Sequence, residues 1–322
     1  MTTPEDPASA WQLTFSPSCI VDFSVSSNGA QIAFSEYNHE AGTIDIKLLD
    51  LETGGLTQLT NCPDSRCTRP VWRPDGQTIA YERVDFNSAL ADQGVDASPT
   101  RVWLLDLTAV PATTRPLMSD LQMVGHNPQW SDDGQLIAFY STNLHAVAIY
   151  NLETGQLISV PSGGGTSGAL SPDGTKLAYS DIVIDEVTGV NSILMLADLV
   201  NDTDTQLTAV GAQVDDGRAL WRPNGASLAV VRRDPSVIRG YQIVEMDPAT
   251  GDIRRLTTDP RYSSMFFWWD PAGSQLVLQR FPELDEQMQL NLDGRPEIWT
   301  LDVDSGAMAL IVEDGMLPRW VP

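Results

Sequence analysis

The sequence predicts an all-β fold assembled from six copies of one four-stranded unit, and three observations carry that expectation. The first is a recurring hairpin. It reads most fully as Pro70-Val71-Trp72-Arg73-Pro74-Asp75-Gly76-Gln77-Thr78-Ile79-Ala80-Tyr81, and it returns around Asn28-Gly29, Asp133-Gly134, Asp173-Gly174, Asn224-Gly225 and Ala272-Gly273. The second is the common continuation of each hairpin. A third apolar strand closes on Asp or Asn (44–50, 102–106, 146–151, 192–198, 242–247 and 297–302), then comes a turn such as Glu52-Thr53-Gly54 or Ala249-Thr250-Gly251, then a short fourth strand such as Leu56-Thr57-Gln58-Leu59-Thr60. The third is spacing: the units recur every 40 to 58 residues, roughly, over nearly the whole chain from Trp11 onward.

Each element has a physical reason. A two-residue hairpin turn needs positive φ, which Gly and Asn supply cheaply, so Asp75, Asp133 and Asp173 are read as turn residues and not as catalytic acids. Alternation on either side of the turn puts every second side chain on one face of a sheet. A lone four-stranded sheet cannot bury both faces, so the sheets must stack face to face around an axis, which is a β-propeller. The expected architecture is a six-bladed β-propeller of four-stranded antiparallel blades at 19–60, 69–118, 127–160, 168–208, 218–257 and 266–312. Residues 1–10 are read as a flexible N-terminal segment and 11–322 as a single propeller domain. Strands expected at 11–14 and 317–321 close the ring by pairing at the seam, with a partial seventh blade as the alternative. Trp72, Trp130, Trp221, Trp269 and Trp320 fall at equivalent places on the first strands and read as wedges between blades.

The pattern Pro-x-Trp-x-Pro-Asp-Gly-x-x-Ile-Ala-Tyr, followed by a Leu-x-Asp-Leu-x-Thr-Gly strand and turn and a terminal Leu-Thr, resembles the TolB-type, or WD-like, β-propeller repeat. The resemblance covers six units and is best in the second to fifth. The first departs with Ser26-Ser27 where Pro and its neighbour are expected, and the sixth with Asp270-Pro271-Ala272-Gly273. It implies a scaffold for binding proteins and sometimes small ligands.

Composition narrows the partners. A net charge of -24, with Lys47 and Lys176 as the only lysines, repels phosphate backbones and anionic membrane surfaces, so nucleic acid is not expected as a partner. No apolar run approaches the roughly 18 residues needed to span a bilayer. Met1 to Ala10 show neither a basic nor an apolar region. The compartment is therefore read as periplasmic or extracellular if a leader has been removed, and as cytoplasmic otherwise. Cys62 and Cys67 bracket a four-residue loop and make a possible disulfide; two unrelated thiols are the alternative.

Function is sought on the face that carries the second-to-third strand loops and the inter-blade linkers, because the long segments (85–100, 181–191, 232–241 and 281–296) lie there. Arg66, Arg69, Arg83, Arg101, Arg218, Arg232, Arg233, Arg239, Arg261, Arg280 and Arg295 map to these loops or to the strand ends feeding them. One reading makes them anchors for a partner's carboxylates; the other has them neutralise Asp residues of the same loops, among them Asp85, Asp92, Asp96, Asp181, Asp185, Asp215, Asp216 and Asp234. Arg83, Arg232, Arg233 and Arg280, at the ends of second strands, are the candidate partner-binding residues. Trp268 joins them as a candidate aromatic wall beside Phe266 and Phe267. His39, His126 and His145 lack metal-ligand spacing, no Gly-x-Ser-x-Gly elbow exists, and Ser162 to Gly168 is a glycine-rich linker without a following Lys or helix. No metal, cofactor or catalytic residue is expected. The reading is a monomeric, non-enzymatic binding module for a protein or peptide, with a propeller enzyme of lyase, lactonase or cyclase type, its site at the central opening, as the alternative.

Overall fold

A computed structural model describes residues 12–14, 19–86, 97–120, 122–185 and 189–321, with Asp185 described by its backbone alone. The expected flexible segment 1–10 and Asp92 lie outside these residues, as does Asp96. Every regular element among them is a strand. The 24 strands fall into six antiparallel sets of four, and the described chain clusters into two compact units.

The unit of Ser16–Ser167 holds three sets. The first is β1 (Ile20–Val25), β2 (Gln31–Asn38), β3 (Thr43–Asp50) and β4 (Leu56–Gln58); the second is β5 (Ser65–Trp72), β6 (Thr78–Asp85), β7 (Arg101–Asp106) and β8 (Thr113–Pro116). The third is β9 (His126–Trp130), β10 (Leu136–Ser141), β11 (Ala146–Asn151) and β12 (Leu157–Pro161). A single parallel bridge, Ile44 to Arg66, joins β3 to β5. The unit of Gly168–Trp320 holds the other three. They are β13 (Ala169–Leu170), β14 (Lys176–Asp185), β15 (Gly189–Asp198) and β16 (Thr203–Gln206); β17 (Asp215–Trp221), β18 (Leu228–Asp234), β19 (Ile238–Met246) and β20 (Ile253–Arg255); and β21 (Tyr262–Trp269), β22 (Gln275–Pro282), β23 (Glu297–Asp302) and β24 (Met308–Glu313).

The repeated residues act as the turn and wedge chemistry requires. Asp75 Oδ1 accepts the Gln77 N–H at 2.9 Å, and Asn28, Asp133, Asp173 and Asn224 each accept the N–H two residues on. The glycine after each has positive φ. In the sixth set Ala272 has no acceptor, and Asp270 replaces it by taking the Gln275 N–H at 2.7 Å. Four of the wedge tryptophans donate their indole N–H to the innermost strand of the preceding sheet: Trp72 to Ser24 O at 3.2 Å, Trp130 to Val71 O at 3.1 Å, Trp221 to Ala169 O at 3.0 Å and Trp269 to Leu220 O at 3.3 Å. Burying the ring while satisfying its one donor makes these positions suit Trp better than Phe. The arginine next to two of them reaches forward, Arg73 Nε to Gly134 O at 2.9 Å and Arg222 Nε to Gly273 O at 2.6 Å. The terminal Leu-Thr is also structural. Buried Thr60, Thr208 and Thr257 accept the N–H of Ile46, Leu194 and Ile243 through their hydroxyls at 2.9, 2.7 and 2.8 Å.

The expected closing strands are not formed. Gln12 to Thr14 and Leu317 to Val321 carry no strand pairing among the described residues. Leu317 has φ of 53°, its N–H goes to the Gln279 side chain at 3.0 Å, and Pro318 has no N–H to give a ladder. Trp320 still packs on Val277, Ile298 and Ile311, so the tail is held by its ring and by that one backbone-to-side-chain bond, without a strand ladder.

Candidate functional site

In the Gly168–Trp320 unit the connections β14–β15, β18–β19 and β22–β23 leave from one face, since antiparallel strands alternate the side of their turns. That face carries large apolar side chains in the open. Ile184 is 80% exposed, Val190 66%, Val237 56%, Leu290 71% and Leu292 91%. The stretch 181–191, expected as a long loop, is instead mostly strand: β14 and β15 run in register out to Asp185 and Gly189, past the ends of β13 and β16. Around Leu290 and Leu292 the chain is held by its own turn: Asp285 Oδ1 accepts the Gln287 and Gln289 N–H groups, both at 2.9 Å.

The candidate arginines sit below this fringe. Arg232 and Arg233 stand directly across β17 from Asp216 and Asp215. Arg232 is buried and grips Asp216 with Nε and Nη2, both at 2.6 Å, in a planar two-point pair. Asp216 also accepts the Thr208 hydroxyl at 2.5 Å, which ties the pair to the preceding sheet. Arg233 is freer, its side chain 45% exposed, with Nη2 2.8 Å from Asp215. Neutralisation within the chain's own loops is therefore what these two side chains do here.

Arg280 differs. It is 4% exposed, no carboxylate lies within salt-bridge reach among the described residues, and its Nε has no hydrogen-bond partner. Two rings hold it instead: its guanidinium carbon is 3.9 Å from the Tyr262 ring centre and 5.0 Å from that of Trp299. Burial lowers its pKa, and nearby Asp259 opposes that shift. Ser264, directly opposite on β21, is fully buried with an unpartnered hydroxyl.

Trp268 does not form the expected wall with its neighbours. A bulge between Met265 and Phe267, with Phe266 at φ of 47°, turns Phe267 fully inward and leaves Phe266 40% exposed. Trp268 lies between two cations, 4.4 Å from the Arg218 guanidinium and 3.9 Å from that of Arg319. Arg218 is not among the four arginines that the sequence nominates for binding, yet its Nε and Nη2 are buried without partners and burial lowers its pKa to about 10. It stands three residues before Trp221, at the position that Arg69, Asn127 and Phe266 hold before their own tryptophans, although it does not share their positive φ.

Arg83 belongs to the other unit. Its Nε donates to Asp85 at 2.7 Å and its guanidinium lies 4.7 Å from the Trp103 ring centre. Cys67 stands across β5 from it and is joined to Cys62 by a disulfide. His126 pairs with the Asn127 side chain at 2.8 Å and lies tilted against the Tyr140 ring, while His39 meets Tyr37 edge to face. No group of three His, Cys, Asp or Glu among the described residues is placed to hold a metal ion.

No protein-family model and no curated protein matches the sequence. Solved structures do match in fold. TolB from Acinetobacter baumannii superposes with a TM-score of 0.54 at 19% identity, over 88% of this chain and 63% of that one. The β-propeller domain of the Trilobed protease from Pyrococcus furiosus matches with a TM-score of 0.57 at 15% identity, over 91% and 84%. The chain has a TolB-type β-propeller fold. An oligogalacturonate lyase from Vibrio parahaemolyticus also superposes on this propeller, with a TM-score of 0.66 at 14% identity, over 94% of this chain and 80% of that one. At these identities the likeness is one of fold, and the propellers that share it include both enzymes and TolB proteins.

Proposed function

We propose that this propeller is a non-enzymatic binding module that presents the long-loop face of its Gly168–Trp320 unit to a protein or peptide partner. The observation that carries the reading is the apolar fringe. Ile184 and Val190, at the paired outer ends of β14 and β15, and Val237, Leu290 and Leu292, on connections of the same face, stand exposed in a chain of net charge -24 that otherwise surrounds itself with carboxylates. Exposed apolar side chains beside acidic ones suit a protein surface and not a lipid one. Arg233, half exposed, is the candidate arginine best able to exchange its internal carboxylate for one on the partner, while Arg232 and Arg280 stiffen the floor beneath.

The test is quantitative capture from the native source by three purified forms: the unaltered protein, Ile184→Asp with Leu292→Asp, and Val200→Asp, which alters an apolar side chain 71% exposed in a turn of the opposite face. A specific partner should be lost with the first variant and kept with the second. Equal capture by all three forms sinks the proposal. The enzymatic alternative, a lyase, lactonase or cyclase, draws on fold likeness alone; it predicts turnover of an acidic sugar or ester by the unaltered protein.

A further inference from the structure

The Ser16–Ser167 unit, which is not the one proposed to receive a partner, contains a cavity of about 450 Å³ between its first two sheets, and a site there is independent of the partner-binding face. One wall is the segment leaving β4, from Gln58 to Cys62. The other is Pro111, Ala112 and Thr114 at the start of β8, and the floor is Tyr81 and Arg83 of β6.

The lining is chemically one-sided. It holds one guanidinium and no carboxylate, in a chain with 43 acidic and 19 basic residues. Tyr81 is fully buried, and its hydroxyl finds no partner of good hydrogen-bond geometry; the Thr114 and Arg83 side chains approach its oxygen as donors, which leaves its own O–H without an acceptor. Burial holds that phenol's pKa up at about 12, so it stays a donor throughout the physiological range. Arg83 is held in place by Asp85 through Nε and by the face of Trp103, and its side chain also reaches the Tyr81 hydroxyl, which leaves part of its five-donor fork for an arriving acceptor. Leu59, Pro111 and Ala112 supply apolar wall on either side. A buried O–H donor without an acceptor costs free energy in the empty site, and an arriving acceptor recovers it.

We infer that this groove is a binding site for a small carboxylate, with Tyr81 and Arg83 donating to its oxygens and Leu59, Pro111 and Ala112 covering a short apolar body. The volume lies in the range of small-molecule sites. One guanidinium, already shared with Asp85, suits a monoanion better than a phosphate dianion, which calls for several cations. The carboxylate can belong to a free organic acid or to a peptide chain terminus, and both present the same two oxygens.

The test uses ligand-observed NMR and calorimetry on the purified full chain with three probes: butyrate, N-acetyl-alanyl-alanine, and the carboxamide of that dipeptide. Butyrate or the free-acid dipeptide should bind and the amide should not, with the tighter of the two acids identifying the source. Tyr81→Phe should weaken the bound acid roughly 10- to 100-fold while leaving the melting transition close to that of the parent. Should Tyr81→Phe fail to fold, Arg83→Gln, at a partly exposed position, is expected to weaken binding by a similar factor. Failure of both acids to bind at about 10 mM, equal binding of acid and amide, or unchanged affinity in the folded variant overturns the assignment.

Discussion

Removing Asp216 tests whether the arginines of the long-loop face are structural. In the parent the Asp216 carboxylate is completely buried and receives two bonds of 2.6 Å from Arg232 and one of 2.5 Å from Thr208. Asp216→Ala leaves the Arg232 guanidinium buried with no counter-charge, and its side chain, 9% exposed, has little route to solvent. Breaking a buried pair from one side costs roughly 3–5 kcal/mol. Losing the acceptor for Thr208 adds about 1 kcal/mol. Against a total stability of about 5–15 kcal/mol that is a large fraction. Replacing both partners, Asp216→Leu with Arg232→Met, removes the stranded charge and is expected to recover most of the loss, because an apolar pair of similar volume is often neutral or better. Urea unfolding followed by tryptophan fluorescence gives both numbers, since Trp221 ends the strand that carries Asp216. A loss below about 1 kcal/mol for the single change, or a double variant no more stable than the single one, refutes the view of this pair as a buried structural tie.

Two further outcomes are expected. The Cys62–Cys67 disulfide closes a loop of sequence separation 5, so replacing both cysteines by serine should cost about 2 kcal/mol on the chain-entropy relation; native thiol titration should find Cys19 alone, and a full complement of three reactive thiols before reduction would show that the bond is absent. Stability should also fall in acid. Turn carboxylates Asp50, Asp106, Asp173, Asp198 and Asp302 have lowered pKa values because neighbouring Thr, Ser or Asn groups donate to them, and Asp259 is lowered by Arg261. A carboxylate with a lowered native pKa stabilises fully above its unfolded pKa of about 4 and loses that contribution as pH falls through the native value, so the unfolding midpoint should drop below about pH 4. Glu82, raised by burial, works in the opposite sense. A midpoint that rises between pH 5 and pH 3 contradicts this balance.

Much of the fold is legible in the sequence because the same local chemistry is written six times. Asp-Gly and Asn-Gly specify a hairpin, and a Trp placed just ahead of that turn, as Trp72 is before Gly76 and Trp221 before Gly225, must lie on an innermost strand. The closing strands fail for a reason that periodicity cannot reveal. Leu317 to Val321 has the composition of a first strand, but Leu317 takes a left-handed conformation and gives its N–H to a side chain. The bulges are equally hidden. Nothing in Met265-Phe266-Phe267-Trp268-Trp269 announces which ring turns inward, because one inserted residue reverses the alternation that a strand pattern assumes.

The candidate site divides along the same line. A sequence shows that arginines and aspartates share loops, but not which pairs meet. Pairing depends on register, and Asp216 faces Arg232 only because β17 carries a bulge between Asp216 and Ala219 that resets its alignment with β18. Arg280 lies beyond the reach of any such matching. It looks from sequence like one more loop cation, and its position over Tyr262 and Trp299 comes from the way three successive strands, β21, β22 and β23, bring those side chains to one face of their sheet. The same holds for Tyr81: one more alternating aromatic in a hairpin motif, at the place Phe139 and Tyr179 hold in theirs, it is set apart by a buried O–H that the folded chain leaves without an acceptor. An unmet donor inside a cavity is a property of the assembled fold. The repeat determines where each strand goes, and the departures from the repeat determine where binding chemistry can collect.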